Sequence, residues 1–535
     1  MTNLTNPRTR REFLQSGLHA TFAAGAATGL MTARRSAKAA EKLDAVDVYA
    51  EQAMKIRHRL AADSDRPLYH YLAPHNLLGD PNGTIYWKGY YHLFYQWNPY
   101  ETEDRQMHWG HAASRDLVHW RDLPIALAPD PSGPDSAGCF SGGALVNKEG
   151  IATIIYHGHV KGTCIATSTD DLLAHWVKHT ANPVIRSVKK GHPDYKKYKV
   201  FDPTAWIENG TYYALIGNTV PGFEGDATSL FRSPDLVQWE HLGPFYRSQR
   251  RWTRADEDCA VPNFFELDGK RVLLFATHKR GAQYYLGTYK DHRFHPERHG
   301  RMNYGAFNLE CGNLVAPITL EDDKRRRIFF AWITEGRRFD VSRAKGWYGI
   351  MSLPRLLSLS QRGTLQIEPV PELKALRKNG HTVRPMEIEG DRDVPLPGIR
   401  GECLEIAAVL RPGRAAACGV KLRCSKDFRE QTQVVYHPAR HELTLDTSQS
   451  SLSEDVTDRQ PQTGPLSLPD SQPLELRIFV DRTVVEVFAN GQQCLTKRIY
   501  PIRPDSLEVA LFARGAGARL ESLKAWEMKP IWPVG

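Results

Sequence analysis

Between residues 66 and 370 the apolar positions fall in short runs rather than at helical spacing. Thr84 to Trp87 and Tyr90 to Tyr95 are aromatic or β-branched runs on either side of Lys88-Gly89, a pair suited to a tight hairpin turn. Gly210 through Ile216 and Arg271 through Ala276 have the same texture. Long amphipathic helices have no periodic signature here, so the pattern predicts short antiparallel strands.

A repeat runs through the same region. Ser114-Arg115-Asp116-Leu117-Val118-His119-Trp120 returns in Ser168 to Trp176 and again in Ser233-Pro234-Asp235-Leu236-Val237-Gln238-Trp239. Self-similarity at roughly 50 to 60 residues marks an array of propeller blades, small sheets that bury their faces by stacking around an axis. Near residues 360–400 the texture changes, broken by Pro369, Pro371, Pro385, Pro395 and Pro397. Beyond them 403–410, 433–437, 475–480, 484–489 and 507–512 read as separate strands of a β-sandwich. The acidic, serine-containing stretch 450–458 is expected as an exposed loop. The predicted organisation is all-β, with a propeller over 66–370 and a sandwich over 385–535, preceded by a linker at 41–65.

The first 40 residues read as an address. Arg8-Thr9-Arg10-Arg11-Glu12-Phe13-Leu14 precedes a mostly small and apolar stretch, 16–31, and then Ala37-Lys38-Ala39-Ala40. This order resembles a twin-arginine export signal with a peptidase site, so the chain is expected to be periplasmic or secreted. The stretch is too short to span a bilayer durably, and no later run reaches about 20 apolar residues, so the mature form is expected off the membrane.

Composition narrows the classes. The net charge of +9 is drawn partly from the N-terminal arginines. Elsewhere basic and acidic residues interleave, which argues against a nucleic-acid partner. The eight cysteines show no Cys-x-x-Cys spacing, so no metal is expected. Plentiful Trp and Tyr suit both β-rich cores and the apolar face of a sugar ring.

Three acidic sites stand beside short strand motifs. Asp80 follows Leu72-Ala73-Pro74-His75-Asn76-Leu77-Leu78-Gly79 and precedes Pro81-Asn82-Gly83. Asp202 lies in Val200-Phe201-Asp202-Pro203, and Asp256-Glu257-Asp258-Cys259 precedes Val261-Pro262-Asn263-Phe264-Phe265. Each alone reads as a turn former or a solvated loop acid. Cleavage of a glycosidic bond usually takes two carboxyl groups, and in a propeller the place for them is the axial end where the innermost strands begin.

Together with Tyr91-His92-Leu93-Phe94-Tyr95-Gln96-Trp97-Asn98-Pro99, His108-Trp109-Gly110-His111, Leu123 to Pro129 and Phe140-Ser141-Gly142, these motifs resemble glycoside hydrolase family 32, the invertase, inulinase and levanase family. Ser352-Leu353-Pro354-Arg355, Phe479-Val480-Asp481-Arg482 and Val485-Glu486-Val487-Phe488 extend the resemblance in family order to the C-terminal region. It implies a five-bladed β-propeller followed by a β-sandwich, no cofactor, and a fructose-containing oligo- or polysaccharide as partner. Asp80 matches the nucleophile. Asp202 matches the acid that binds fructose hydroxyls and stabilises the transition state, and is expected to stay ionised. Gln96, Trp109, Phe140 and Ser141 match the fructose subsite, with Asn76 just upstream. The chain departs from the family pattern at three places. Gly79 replaces an Asn, Phe201 replaces an Arg, and Ala260 stands where the Glu of Glu-Cys-Pro belongs. Glu257 is therefore the expected acid/base, with Asp258 as alternative and otherwise a substrate-binding residue. Glu310-Cys311-Gly312 has a superficial likeness to the same motif. The implied reaction is retaining hydrolysis of a β-fructofuranoside such as sucrose, inulin, levan or a short fructan. Fructosyl transfer on the same site and a non-catalytic fructan-binding propeller are the alternatives. The sequence carries no signal for an oligomeric state.

Overall fold

The computed structural model describes residues 30–102, 105–159, 161–195, 197–217 and 223–533. The twin arginines and most of the apolar stretch behind them lie outside the described residues, and the export reading with them. Leu30–Leu60 is a helix, α1, so the segment 41–65 expected as a linker is helical over most of its length. No helix among the described residues is long and apolar enough to cross a membrane. The chain divides into Met1–Val48 and a second unit, Tyr49–Gly535, which carries everything below. Within it the end of α1 is anchored by Arg57, whose buried guanidinium reaches both oxygens of Asp122 at 2.8 Å.

Strands dominate, and they come in sheets of consecutive antiparallel neighbours. The first sheet is β1 (Asn76–Trp87), β2 (Tyr90–Asn98), β3 (His108–Ser114) and β4 (Trp120–Leu127). The second is β5 (Cys139–Val146), β6 (Ala152–Gly158) and β7 (Gly162–Ser168), edged by β8 (Val177–Lys178) and β9 (Ile185–Arg186). The third is β10 (Pro203–Glu208), β11 (Thr211–Ile216), β12 (Ala227–Ser233) and β13 (Glu240–Arg247). The fourth is β14 (Ala260–Leu267), β15 (Lys270–Thr277), β16 (Gly281–Lys290) and β17 (Arg293–Arg301). The fifth begins with β18 (Leu314–Glu321) and β19 (Arg327–Ile333); β20 (Trp347–Tyr348) crosses back to pair parallel with β1, β21 (Ile350–Met351) pairs with β19, and β22 (Arg355–Leu359) and β23 (Leu365–Pro369) complete it. The opening strands touch in succession: β1 lies against β5 and β18, β5 against β10, β10 against β14, and β14 against β18. Among the described residues no sheet closes on itself by hydrogen bonding.

The sequence repeat has a physical cause. It is the turn between the third and fourth strands of three sheets, where one Asp carboxylate collects exposed backbone N–H groups. Asp116 accepts from Val118 N and His119 N, Asp170 from Leu172 N and Ala174 N, and Asp235 from Val237 N and Gln238 N, all within 3.0 Å. Leu117, Leu173 and Leu236 each take a positive φ there, and the indoles of Trp120 and Trp239 close two of the turns on the carbonyls of Leu117 and Leu236.

Two further sheets follow. One runs Arg377–Val383, Ala518–Met528, Cys403–Arg411, Leu474–Asp481, Val484–Ala489 and Gln493–Arg498 in spatial order. The other runs Arg392–Arg400, Glu508–Gly515, Ala415–Cys424, Thr432–His437, Glu442–Asp446 and Gln462–Pro465. Their inward residues, such as Ile406, Val420, Leu445, Val487 and Leu511, share one core. The stretch 450–458 has no strand but is not the exposed loop expected. Val456 is buried and pairs with Arg337, and Thr457 N donates to Gly336 O at 3.0 Å, so it docks on the loop that follows β19.

Candidate active site

The start of each of the five sheets contributes lining residues to a common cavity of about 150 Å³, among them Asp80, Ser141, Asp202, Val261 and Ala316. Four of the five precede a proline or a glycine inside a break of strand register, at Leu78/Pro81, Cys139/Gly142, Ala260/Asn263 and Val315/Ile318. A bulge re-aims side chains that regular pleating would turn aside, and proline, which lacks an N–H, fits where the ladder is already interrupted. Asp202 stands just ahead of Pro203, where β10 begins.

Asp80 is braced by Ser141 and, through it, by Gln96. Ser141 Oγ donates to Asp80 Oδ2 at 2.6 Å, and Gln96 Nε2 donates to Ser141 Oγ in turn. Gly79 makes room for this, since a Cβ there would come within 3.3 Å of Gln96 Cβ. Asp202 is 5% exposed and accepts from Val261 N at 3.2 Å. Val261 reaches it by adopting a φ of 45°, an unfavourable conformation for a β-branched residue. Burial first, then the neighbouring charge of Asp80, push the Asp202 carboxyl up to about 7, so the side chain expected to stay ionised titrates near neutrality.

Phe140 lines the cavity beside Ser141, and Phe201, in place of the family Arg, lines it beside Asp202. Two of the sequence-derived residues stand behind the wall instead. Trp109 is fully buried, donates its indole N–H to Phe140 O at 3.0 Å, and packs under Gly83, where φ is 47° and a Cβ would fall 2.8 Å from the ring. It supports the Asp80-Pro81-Asn82-Gly83 turn. Asn76 opens β1, and its amide donates to Pro99 O at 2.8 Å.

The acidic cluster splits. Glu257 does not line the cavity: it is 1% exposed, and Arg301 donates to both its oxygens, at 2.9 and 3.0 Å. Gln283 Nε2 and Arg254 N add further hydrogen bonds at 3.2 and 3.1 Å. Asp258 lies one layer back, with Oδ2 2.6 Å from His278 Nδ1 and Oδ1 accepting from His278 N at 2.8 Å. Its hydrogen bond and charge, against the effect of burial, hold the Asp258 carboxyl below its ordinary value. Glu310 accepts from Phe339 N at 2.7 Å, also away from the cavity.

His278 is the site residue that sequence reasoning missed. It follows β15 and lines the cavity with Asp80 and Asp202. Its hydrogen bond to Asp258, then the charges of Asp258, Asp202 and Asp80, push its imidazole up to about 9. Strand position gave no signal for it: Gln96 stands opposite the bulge of β1, but the residue opposite the bulge of β14 is Phe275, and His278 lies three residues further on, past the end of β15.

Comparison with known proteins gives the same frame. Residues 70–369 match the family model "Glycosyl hydrolases family 32 N-terminal domain", and residues 372–527 match "Glycosyl hydrolases family 32 C terminal". The chain is 30% identical to a levanase of Bacillus subtilis, over 88% of this chain and 72% of that protein. It is also 30% identical to a sucrose-6-phosphate hydrolase of Zymomonas mobilis, over 90% of this chain and 96% of the relative. The fold is similar to that of fructan 1-exohydrolase IIa from Cichorium intybus, with a TM-score of 0.76 at 24% identity over 88% of this chain and 98% of that one. The chain is a glycosidase and belongs to glycoside hydrolase family 32.

Proposed function

We propose that this glycosidase releases fructose from β-fructofuranosides by a retaining, two-step displacement. Asp80 is the nucleophile that forms a fructosyl ester, and Asp202 binds the sugar hydroxyls and the charge developing on the ring. The observation that carries the reading is the pair itself: two carboxyl groups, from the ends of two opening strands, share one small cavity with Gln96, Phe140 and Ser141. The five sheets and the mutual contacts of their opening strands support a five-bladed propeller over residues 66–370, with the two later sheets as a sandwich that begins at Arg377 rather than at the expected residue 385. The relatives named levanase, sucrose-6-phosphate hydrolase and fructan exohydrolase point to a fructose-containing saccharide as substrate.

The test is fructose release from sucrose, inulin and levan by the full chain beside Asp80→Ala. The expected result is turnover of at least one fructoside and a loss of roughly 10⁴-fold or more in the variant. A variant as active as the unmutated chain would overturn the role of Asp80. Binding of fructan with no turnover by the unmutated chain would overturn the fructosidase reading.

Export is the second part of the proposal, and it rests on the sequence Arg10-Arg11-Glu12-Phe13-Leu14. Replacing both arginines by lysine should leave unprocessed chain inside the cell. Processing that continues unchanged would exclude the twin-arginine route.

A further inference from the structure

We propose that the proton needed by the leaving group comes from His278, positioned by Asp258, in place of a carboxylic acid. The proposal rests on the fructosidase reading above and concerns which group plays acid and base within it.

Three observations lead to it. At the position where the family Glu belongs, the cavity wall is Ala260, which has no proton to give. Glu257 is enclosed by Arg301, Gln283 and the Arg254 N–H, so its carboxylate is committed, and it is not among the residues that line the cavity. Asp258 spends both oxygens on His278. What projects into the cavity beside Asp80 and Asp202 is the His278 ring, with its side chain 55% exposed. Asp258 takes Nδ1, so Nε2 points the other way, and no hydrogen bond among the described residues engages it. The ring stands edge-on to Phe201, with centroids 6.0 Å apart, which limits its tilt. The charged groups facing it are Asp258, Asp202 and Asp80, all acidic, and they keep it protonated at neutral pH.

The cycle closes without another reactant. As Asp80 bonds to C2 of the fructosyl unit, the bond from C2 to the leaving oxygen breaks, and the Nε2 proton moves to that oxygen. The leaving sugar departs as an alcohol, Asp80 becomes an ester, and the ring becomes neutral. Water then bonds to C2 and gives a proton to Nε2, and the Asp80 carboxylate is released. The charges assist both steps. Esterification removes the negative charge of Asp80, which weakens the ring's hold on its proton as the proton is needed. Hydrolysis of the ester restores that charge and strengthens the ring as a base. Asp258 is a positioning residue that fixes the ring orientation, as a carboxylate does for a catalytic imidazole elsewhere.

The experiment compares sucrose, whose leaving group needs a proton, with β-fructofuranosyl fluoride, whose leaving group does not. His278→Ala and His278→Gln should lose about 10²- to 10⁴-fold on sucrose. On the fluoride each should release a burst of fluoride equal to the enzyme present, then turn over slowly, and azide should accelerate that second phase and yield fructosyl azide. Asp80→Ala should give no burst. Equal losses on both substrates in both His278 variants, with the unmutated chain active, would overturn the assignment while leaving the fructosidase reading intact. The burst pattern in Glu257→Gln instead would move the acid/base role to Glu257. An unmutated chain that turns over neither substrate would overturn both proposals.

Discussion

Arg301 grips both oxygens of Glu257, at 2.9 and 3.0 Å, from a strand 44 residues further on. The pair is buried, since the Glu257 side chain is fully enclosed and Arg301 is 16% exposed. Removing one member of such a pair leaves the other charge without compensation, at a cost of about 3–5 kcal/mol. Glu257→Ala should therefore unfold at a lower temperature, while its kcat on sucrose at 20 °C stays within about threefold, because acid/base groups contribute far more than that. A loss of several hundredfold with unchanged melting would return Glu257 to the chemistry.

The hydrogen bond between Asp258 and His278 sets the alkaline limit of activity. An acid must hold its proton, so on the alkaline side kcat/KM should fall as the ring titrates, with a midpoint near 9. Asp258 is the largest contributor to that value, ahead of Asp202 and Asp80. In Asp258→Asn the alkaline limb should move toward the ordinary imidazole value of 6.5. A limb that stays in place would remove Asp258 from this role.

Much of the frame was legible in the sequence, and for a local reason. The Ser-x-Asp repeat marks a turn closed within seven to nine residues, and Asp80-Pro81-Asn82-Gly83 marks a bulge and a left-handed glycine over Trp109. Such features carry their own chemistry wherever they sit. The choice between Glu257 and His278 was not legible, because it depends on pairings across strands. Arg301 reaches Glu257 only when β17 is in register with β16, and His278 meets Asp258 only when β15 returns beside β14. Trp109 shows the converse: a motif that marks the site by shaping it from behind, with no surface in the cavity. The stretch 450–458 looked exposed because it is polar, yet Asp458 pairs with the buried Lys497.

Asp202 stores an instability that the chemistry needs. Its folded-state value near 7 is raised above the ordinary 3.8 by burial and by Asp80. A group raised in this way contributes fully below about pH 4, and its contribution is lost as pH rises through 7. Asp202→Asn removes the ionisation, so the variant should match the unmutated chain near pH 4 and melt later at pH 8, by a difference of the order of a few kcal/mol. It should also be inactive. A variant that melts earlier at pH 8 would mean that the ionised carboxylate is stabilised rather than tolerated.

Asp481 ties the last sheets to the entry of the first. Its carboxylate accepts from Leu68 N, Tyr69 N and His70 N at 2.7, 2.8 and 2.9 Å, and lies 2.8 Å from His70 Nδ1. Glu486 sits 3.4 Å from the other nitrogen of His70 and receives Leu353 N and Arg355 Nη2, so three family motifs meet at one buried histidine. Burial opposes every charge in this cluster, yet the mutual hydrogen bonds hold His70 above its ordinary value and Asp481 and Glu486 below theirs. The carboxylates' contribution is present above about pH 4 and lost as pH falls through their lowered values; that of His70 is present below about 6.5 and lost as pH rises through its raised one. Asp481→Ala leaves three backbone N–H groups, those of Tyr69 and His70 buried, and an imidazolium without their acceptor, a cost of about 3–5 kcal/mol. Its melting temperature should fall across the whole range from pH 5 to 8, and limited proteolysis should cut between the fifth sheet and the two that follow. Melting and proteolysis like those of the unmutated chain would show that the two parts hold together without this carboxylate.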